Sequence, residues 1–433
     1  MALGAPEEDP EDDPDPMECR VTTAQTALFA APAKPAGTRS GAPAAEAAIG
    51  ADGRTRPGAR PVKTLLPMAF DGVGPSFTCK SIVEAMAAEG MDCELLVSRR
   101  RVAVDRRVRA VSAIPPLLSA LPYRMVRTAA ARRCDRLFRE RLRAGDIAYL
   151  WPGASLETHA FARERGALVV LEGINTRMAA AREILDAAYA REGLAPAHGI
   201  TAARIADEEA KLALTDVIFA PSLGVERSHE RPDRTYRVLP AHYGTQLQVQ
   251  DAPPRPRSGP LRVLFVGSVG IRKGAHTLLR AWREARIDGE LILAGAVEPA
   301  VAALCHDELN LPTVKSLGFV RDVAPLYRDA DVFVLPSLEE GDPLVTYEAA
   351  ARGLPVVASF MGAGRMGTQT DFHLEVDPLE PEGLAEALRA LASSPERRRD
   401  HAERALRAVG GYGWRDAGAV RADALCIYTQ PAQ

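Results

Sequence analysis

What most constrains this chain is a rhythm of short apolar runs, each breaking at a loop and followed by a stretch of helical period, that is interrupted once and then restarts. Before the interruption the runs are VKTLLPMAF, CELLV, DIAYLW (Asp146 to Trp151), ALVVLEG (Ala167 to Gly173) and DVIFAPS (Asp216 to Ser222). After it come LRVLFVG, ELILAG, TVKSLGFV, DVFVLPS and LPVVAS. Apolar runs of this length alternating with helices build parallel sheets covered on both faces, since each return to a parallel neighbour needs a crossover helix. The interruption, DAPPRPRSGP at 251–260, is proline-rich without apolar period and reads as a linker. The expected fold class is therefore α/β, with two Rossmann-like doubly wound lobes at 61–250 and 261–410 facing a cleft. A last helix within 411–433 is expected to pack back on the lobes through Trp414, Val420, Leu425 and Tyr428. Ligands of such sheets bind beyond the carboxyl ends of the strands, so the loops there are where chemistry is sought.

Bulk properties narrow the function. A chain of 433 residues is too long for one core and suits two or three units. A formal net charge of -3 gives no global field for nucleic acid, and no nucleic-acid partner is expected. The six cysteines (Cys19, Cys79, Cys93, Cys134, Cys305, Cys426) show no CxxC or Cys/His spacing, which points to neither a zinc cage nor a disulfide framework. Residues 1–60 are acidic and then Ala/Gly/Pro-rich, with too few large apolar groups to offset the entropy of ordering, and read as a disordered tail. That start is the opposite of a basic, apolar signal peptide, and no run reaches the roughly 20 apolar residues of a membrane span. A cytoplasmic protein is expected. The arginine clusters SRRRVAVDRRVR and RMVRTAAARRCDRLFRERLR either touch the anionic inner face of a membrane peripherally or are solvated faces.

Two motifs carry chemistry. VGSVGIRKGA follows the strand LRVLFV and leads into the helical AHTLLRAWREA. Glycines 267, 270 and 274 let the backbone pass close to a ligand, the new helix offers unpaired N–H groups, and Arg272 and Lys273 add cations. This outlines a diphosphate site or an ordinary strand-to-helix turn. It is neither GxGxxG nor GxxxxGK[ST], so dehydrogenase and P-loop readings have no support. In PSLEEGDPLVTYEAAARGLPVVAS (Pro336 to Ser359), Glu340 stands in the loop after a strand and Glu348 follows at E-x7-E spacing on a helix. Such carboxylates accept hydrogen bonds from paired sugar hydroxyls, although two glutamates on a surface helix are also common.

The stretch EGDPLVTYEAAARGLPVVAS resembles the EGFGLVxLEAMAxGxPVVAS signature of the GT4-type retaining glycosyltransferases (group 1, GT-B fold), and VGSVGIRKGAHTLLRAW resembles their VGRLxxxKGxxxLLxAF loop. SLGFVRDVAPLYRDADVFVLPS, LEVDPLEPEGLAEALRAL and YGWRDAG extend the likeness over nearly all of Leu261 to Tyr428. In the first lobe, ADEEAKLALTDVIFAPS and VLPAHYGTQL match more weakly.

The resemblance implies a nucleoside-diphosphate sugar (UDP- or GDP-) as donor and a glycan, lipid-linked or small-molecule acceptor. It places Gly267, Ser268, Gly270, Lys273, Leu344, Val345 and Glu348 around the donor. Glu348 would hold the ribose, Glu340 would face the sugar, and Lys273 would neutralise the leaving diphosphate, with no metal and no cofactor. Three departures stand out. Ser268 replaces the family's arginine, with Arg272 its expected substitute. Asp342-Pro343 replaces Phe-Gly, removing an N–H and adding a charge near the sugar. Trp151-Pro152 stands where a first-lobe histidine is frequent.

Other candidates are weaker. The loop Asp71, Gly72, Val73, Gly74 points into the cleft or is a plain tight turn. Glu172-Gly173 lines the acceptor side or is a solvated loop. His159, His242 and His373 lack ligand spacing and read as structural. Two alternatives to a transferase remain: a sugar-nucleotide epimerase, and a nucleotide-sugar-binding subunit of a polysaccharide assembly system.

Overall fold

The computed structural model describes residues 59–115, 121–254 and 259–429. The expected tail lies outside these residues except for Ala59 and Arg60, and 255–258 of the proline-rich segment lie outside them too. The first lobe comprises β1 (Val62–Phe70), α1 (Pro75–Ala88), β2 (Cys93–Arg100), β3 (Arg109–Ser112), α2 (Tyr123–Arg141), β4 (Ile147–Leu150), α3 (Leu156–Glu164), β5 (Leu168–Glu172), α4 (Met178–Arg191), α5 (Ala202–Leu212), β6 (Val217–Ala220), α6 (Leu223–Ser228) and β7 (Arg237–Pro240). Its described strands run β3-β2-β1-β4-β5-β6-β7, every neighbouring pair parallel.

The second lobe comprises β8 (Leu261–Val266), α7 (Ala275–Ala285), β9 (Gly289–Ala294), α8 (Pro299–Leu304), α9 (His306–Leu309), β10 (Val314–Gly318), α10 (Ala324–Asp329), β11 (Val332–Leu335), α11 (Leu344–Ala351), β12 (Val356–Ala358), α12 (Phe360–Gln369), β13 (His373–Glu375), α13 (Pro381–Ser393) and α14 (Pro395–Val409). A last helix, α15 (Trp414–Thr429), follows. The second sheet runs β10-β9-β8-β11-β12-β13, again parallel throughout. The central strands are apolar on both faces, with Val263, Leu264, Phe265, Val332, Phe333 and Val334 all at 0% exposure. This is why they stand out in the sequence. Strands β3, β7 and β13 do not, because each lies at a sheet edge where a single covered face leaves a weaker apolar signal.

In both sheets the strand order reverses once, between β1 and β4 and between β8 and β11. Successive crossovers there leave to opposite sides and open a crevice above the strand ends. The loops after β8 and β11 are consequently neighbours. A Cβ on Gly274 (φ 65°) would lie 1.9 Å from Pro336 O, so only glycine lets them lie this close.

The passage between lobes comes before the proline-rich segment expected to be the linker. Leu247 and Val249 already pack against the second lobe's core, and Gln250 N donates to Ala351 O (3.0 Å). The chain returns just before α15, and the two passages run side by side. Thr245 and Gly413 form a parallel bridge, Thr245 N donates to Tyr412 O (3.1 Å), and a Cβ on Gly244 would meet Gly413 C at 2.6 Å.

Helix α15 then lies on α1 of the first lobe, where a Cβ on Gly418 would come within 2.3 Å of Ala85 Cβ. Its buried stripe is Ala417, Arg421, Ala422 and Leu425. Of the expected anchors, Leu425 is buried and Trp414 stacks edge-on against Phe77 at 5.6 Å. Val420 is instead 37% exposed, because the helix turns its arginine, not its valine, inward.

Candidate functional site

The loop after β8 begins at Gly267 (φ 135°) and tightens into a 3-10 turn over Ile271–Lys273 before α7. The Lys273 side chain folds back over Gly267, its Cε 3.5 Å from the position a Cβ there would take. Its Nζ donates to Glu340 Oε1. Ser337 Oγ donates to the same oxygen at 3.0 Å, and Arg272 Nη1 stands 3.4 Å from Glu340 Oε2. Burial lowers the Lys273 pKa, with Glu340 opposing it. Burial alone would raise the Glu340 carboxyl, but Lys273 and then Arg272 hold it below its ordinary value. The structure thus brings Glu340, Lys273 and Arg272 into one ionised cluster at the switch point of the second sheet.

The neighbourhood of Ser268 is acidic rather than basic. Ser268 Oγ donates to Glu298 Oε1 (2.7 Å), and a Cβ on Gly270 would collide with that carboxylate at 2.2 Å. Arg272, the expected substitute cation, also donates to Glu339 O (2.9 Å) and reaches Glu339 Oε2 (3.3 Å). Glu348, half-buried on α11, accepts from Tyr327 OH at 2.9 Å through Oε2, and its pKa is raised by burial against that bond. Among the described residues Oε1 carries no such partner. Leu344, Val345, Lys273 and Glu340 line a cavity of about 210 Å³ that Pro75 and Thr78, at the start of α1, close from the first lobe.

Asp342 departs from expectation. It lines the same cavity, but its carboxylate is not a free charge there. It is buried, accepting from Tyr243 N (2.9 Å), Arg365 N (2.9 Å) and Tyr347 OH (2.8 Å to Oδ2). It therefore joins the loop after β11 to the first passage between lobes. Burial raises its pKa from 3.8 to about 6, against these hydrogen bonds. The folded carboxyl keeps its proton to higher pH than the unfolded one. Its stabilising contribution is therefore full below 3.8 and lost as pH rises through about 6. Urea unfolding across pH 3.5–7 is expected to show this decline in the wild type relative to Asp342→Asn; parallel curves for the two proteins would refute it.

Facing this cluster across the cleft is a cavity of about 700 Å³ in the first lobe, above β4 and β5 and bounded by α4 and α5, which reaches Arg272, Glu298 and Glu339. Glu339 was missed in the sequence, where it stood beside Glu340 in the doubled glutamate. It spans the cleft: Oε1 accepts from Thr176 N (3.1 Å) and Thr176 Oγ1 (2.8 Å), and Oε2 from Asn175 Nδ2 (3.2 Å). A Cβ on Gly341 would lie 1.9 Å from Ile174 O, so the lobes touch here. Arg365, also missed, crosses between lobes from its buried place on α12, donating to Ala241 O and Ala220 O (both 2.9 Å).

Glu172 and Gly173 line this first-lobe cavity, but the Glu172 carboxylate is already engaged. Arg421 grips its carboxylate in two-pronged fashion (2.6 and 3.1 Å), and Tyr149 OH donates to it, both side chains of the ion pair being 0% exposed. It fastens α15 to the first sheet. The Gly72–Gly74 loop, with φ 81° and 54° at its glycines, is a self-bonded turn: Asp71 N and Gly72 N donate to Ser76 Oγ at 3.1 and 2.8 Å. His159 and His242 each bond a backbone carbonyl, of Ser155 (2.8 Å) and Tyr243 (2.7 Å), and His373 lies in β13.

Comparison with known proteins matches residues 260–394 to the family of glycosyl transferases group 1. A D-inositol 3-phosphate glycosyltransferase of Kineococcus radiotolerans is 32% identical over 200 residues, 40% of this chain and 44% of that protein. The chain thus spans less than half the length of the curated relative it matches. Among solved structures, sucrose-phosphate synthase from Thermosynechococcus elongatus superposes with a TM-score of 0.60 at 18% identity, covering 85% of this chain and 97% of that one. Anabaena HepE, in complex with UDP and glucose, gives 0.59 at 14% identity, covering 84% and 99%. The two-lobed arrangement is the GT-B fold.

Proposed function

We propose that the chain, whose residues 260–394 match the family of glycosyl transferases group 1, is a retaining glycosyltransferase moving a hexose from a UDP- or GDP-sugar to an acceptor hydroxyl. The observation that carries this reading is the buried Lys273–Glu340 pair at the second sheet's switch point. A lysine held there by one carboxylate is a cation prepared for a diphosphate. When the donor arrives, its phosphates take the ammonium, and Glu340 is released to accept from hydroxyls of the sugar. The positive end of the loop–helix junction at Gly270–Ala275 adds to that field. As the glycosidic bond breaks, charge grows on the leaving phosphate, and Lys273 stabilises it where water is largely excluded. Glu348, fixed by Tyr327, accepts from the ribose diol. Neutralisation by Lys273 and Arg272 takes the place of a divalent ion in this scheme.

Thermal unfolding with nucleoside diphosphates and their sugars tests the donor site. A ligand at 100 times its Kd stabilises the native state by about 2.7 kcal/mol. UDP or GDP is expected to raise Tm by several degrees, and no shift with any of the panel refutes the reading. A second reading, a nucleotide-sugar-binding subunit, is favoured by Glu298 beside Ser268, which weakens the field on the diphosphate. It predicts binding without turnover over a broad acceptor panel. Consumption of donor with no glycoside formed would instead indicate an epimerase.

Access for the acceptor is from the first lobe. Among the described residues no helix is long and apolar enough to cross a membrane. Arg124, Arg127, Arg132, Arg133 and Arg136 of α2 are exposed, and in this scheme they would meet an anionic surface bearing a lipid-linked acceptor.

A further inference from the structure

The wall of the large first-lobe cavity defines the chemistry of what enters it. Leu150, Trp151, Leu171, Met178, Leu185 and Ile218 give it an apolar stretch, and α5 adds polar side chains to the same first-lobe wall. Its polar end lies at the second lobe, where Glu298 and Glu339 stand beside the Lys273–Glu340 site. An entering molecule that fits presents a polar end to the reacting centre and sets an apolar part against the Leu150–Ile218 stretch.

Most of the positive charge on this wall is matched. Four cations line it, and three are matched: Arg177 by Glu209 (2.6 Å), Lys211 by Asp207 (2.6 Å) and Arg272 by Glu339 (3.3 Å). The fourth, Arg204, is exposed and donates to Gly199 O at 2.7 Å. Against it stand two acidic groups with no cation of their own on this wall, Glu298 and Glu208, the latter raised by burial from 4.5 to about 7. Glu208 accepts from Met178 N (2.7 Å), and Glu298 from Ser268 (2.7 Å). His159 and His229, also on the wall, are neutral at pH 7, burial having lowered each to about 4. A phosphate brings a charge of about −1.5 to −2 and, out of bulk water, needs unpaired Arg or Lys donors around it. This wall would meet it with carboxylates. A hydroxyl has no such requirement, and Glu208, Glu298 and Asn175 can all bond one.

Resting on the transferase reading, we infer that the acceptor is an uncharged hydroxyl compound with an apolar body, such as a glycoside or alcohol of an alkyl chain or ring, and not a sugar phosphate. A cavity of about 700 Å³ falls within the span of roughly 300–1,000 Å³ that holds ligands larger than a single sugar.

The test uses the full chain with the donor identified by thermal shift. Transfer is compared between n-octyl β-glucoside or 4-nitrophenyl β-glucoside and two phosphates, glucose 6-phosphate and myo-inositol 3-phosphate. The uncharged glycosides are expected to exceed the phosphates by about tenfold or more in kcat/KM. Ala181, buried on the wall, supplies a second arm: Ala181→Phe is expected to abolish transfer to the glycosides while the nucleotide-induced Tm shift persists. Equal or better use of the phosphates overturns the inference. So does intact nucleotide binding with no transfer to either class. Loss of nucleotide binding in the wild type, by contrast, strikes at the transferase reading itself.

Discussion

Lys273→Ala is expected to lower kcat by about 10²–10³-fold, the loss typical when one preorganised donor to developing negative charge is removed. The side chain is 13% exposed, it lies over Gly267, and Glu340 is its partner. The variant keeps Arg272 and Ser337 beside Glu340, so that carboxylate is not stranded without any donor. The effect should consequently fall on turnover and on diphosphate affinity, with the fold retained. Initial rates with the donor and a productive acceptor measure it, and circular dichroism checks the fold. A kcat within about threefold of wild type would assign the leaving-group charge elsewhere, with Arg272 the next candidate.

The second large effect is on stability. Arg421→Met removes the cation from a carboxylate at 0% exposure and leaves Glu172 buried with Tyr149 as its remaining partner. Breaking a buried pair from one side costs about 3–5 kcal/mol. Urea unfolding at pH 7 should show a loss of that size. Replacing both residues, as Glu172→Leu with Arg421→Met, should recover a substantial part, because no charge is then left uncompensated in the core. A double variant as unstable as the single one would mean that the pair's hydrogen bonds to Tyr149 and the backbone, not its charge balance, dominate.

How far the sequence disclosed this molecule depended on the range of the interactions involved. Local signals served well. The apolar strands near both switch points are continuous runs, and the glycines at 267 and 274 and the carboxylate at 340 sit within loops whose place follows from the strands beside them. Lys273, Arg272 and Glu340 therefore came together as their positions suggested. Non-local partners were invisible. The place of Glu172 beside the cleft follows from the strand it closes, but nothing around it announces Arg421, 249 residues away, which holds its carboxylate. Asp342 looked like a charge offered to the sugar, whereas Tyr243 N and Arg365 N turn it inward. Glu339 was passed over since its bonds to Asn175 and Thr176 exist only once two lobes face each other. The linker was placed a few residues late for the same reason: prolines mark a break in periodicity, but the passage between lobes is defined by what Leu247 and Val249 pack against.

The two chain passages bound together at Thr245 and Gly413 have a mechanical consequence. A body joined to another by one flexible strand can pivot in any direction, but one joined by two strands fused backbone to backbone swings about a single axis, like a leaf on a pin. Any opening of the lobes would then be confined near one axis. Its widest travel falls at points far from the pin, and the Ile174–Gly341 contact marks where the two leaves meet when shut. Every position of the swing keeps the first lobe's strand ends turned toward the second's.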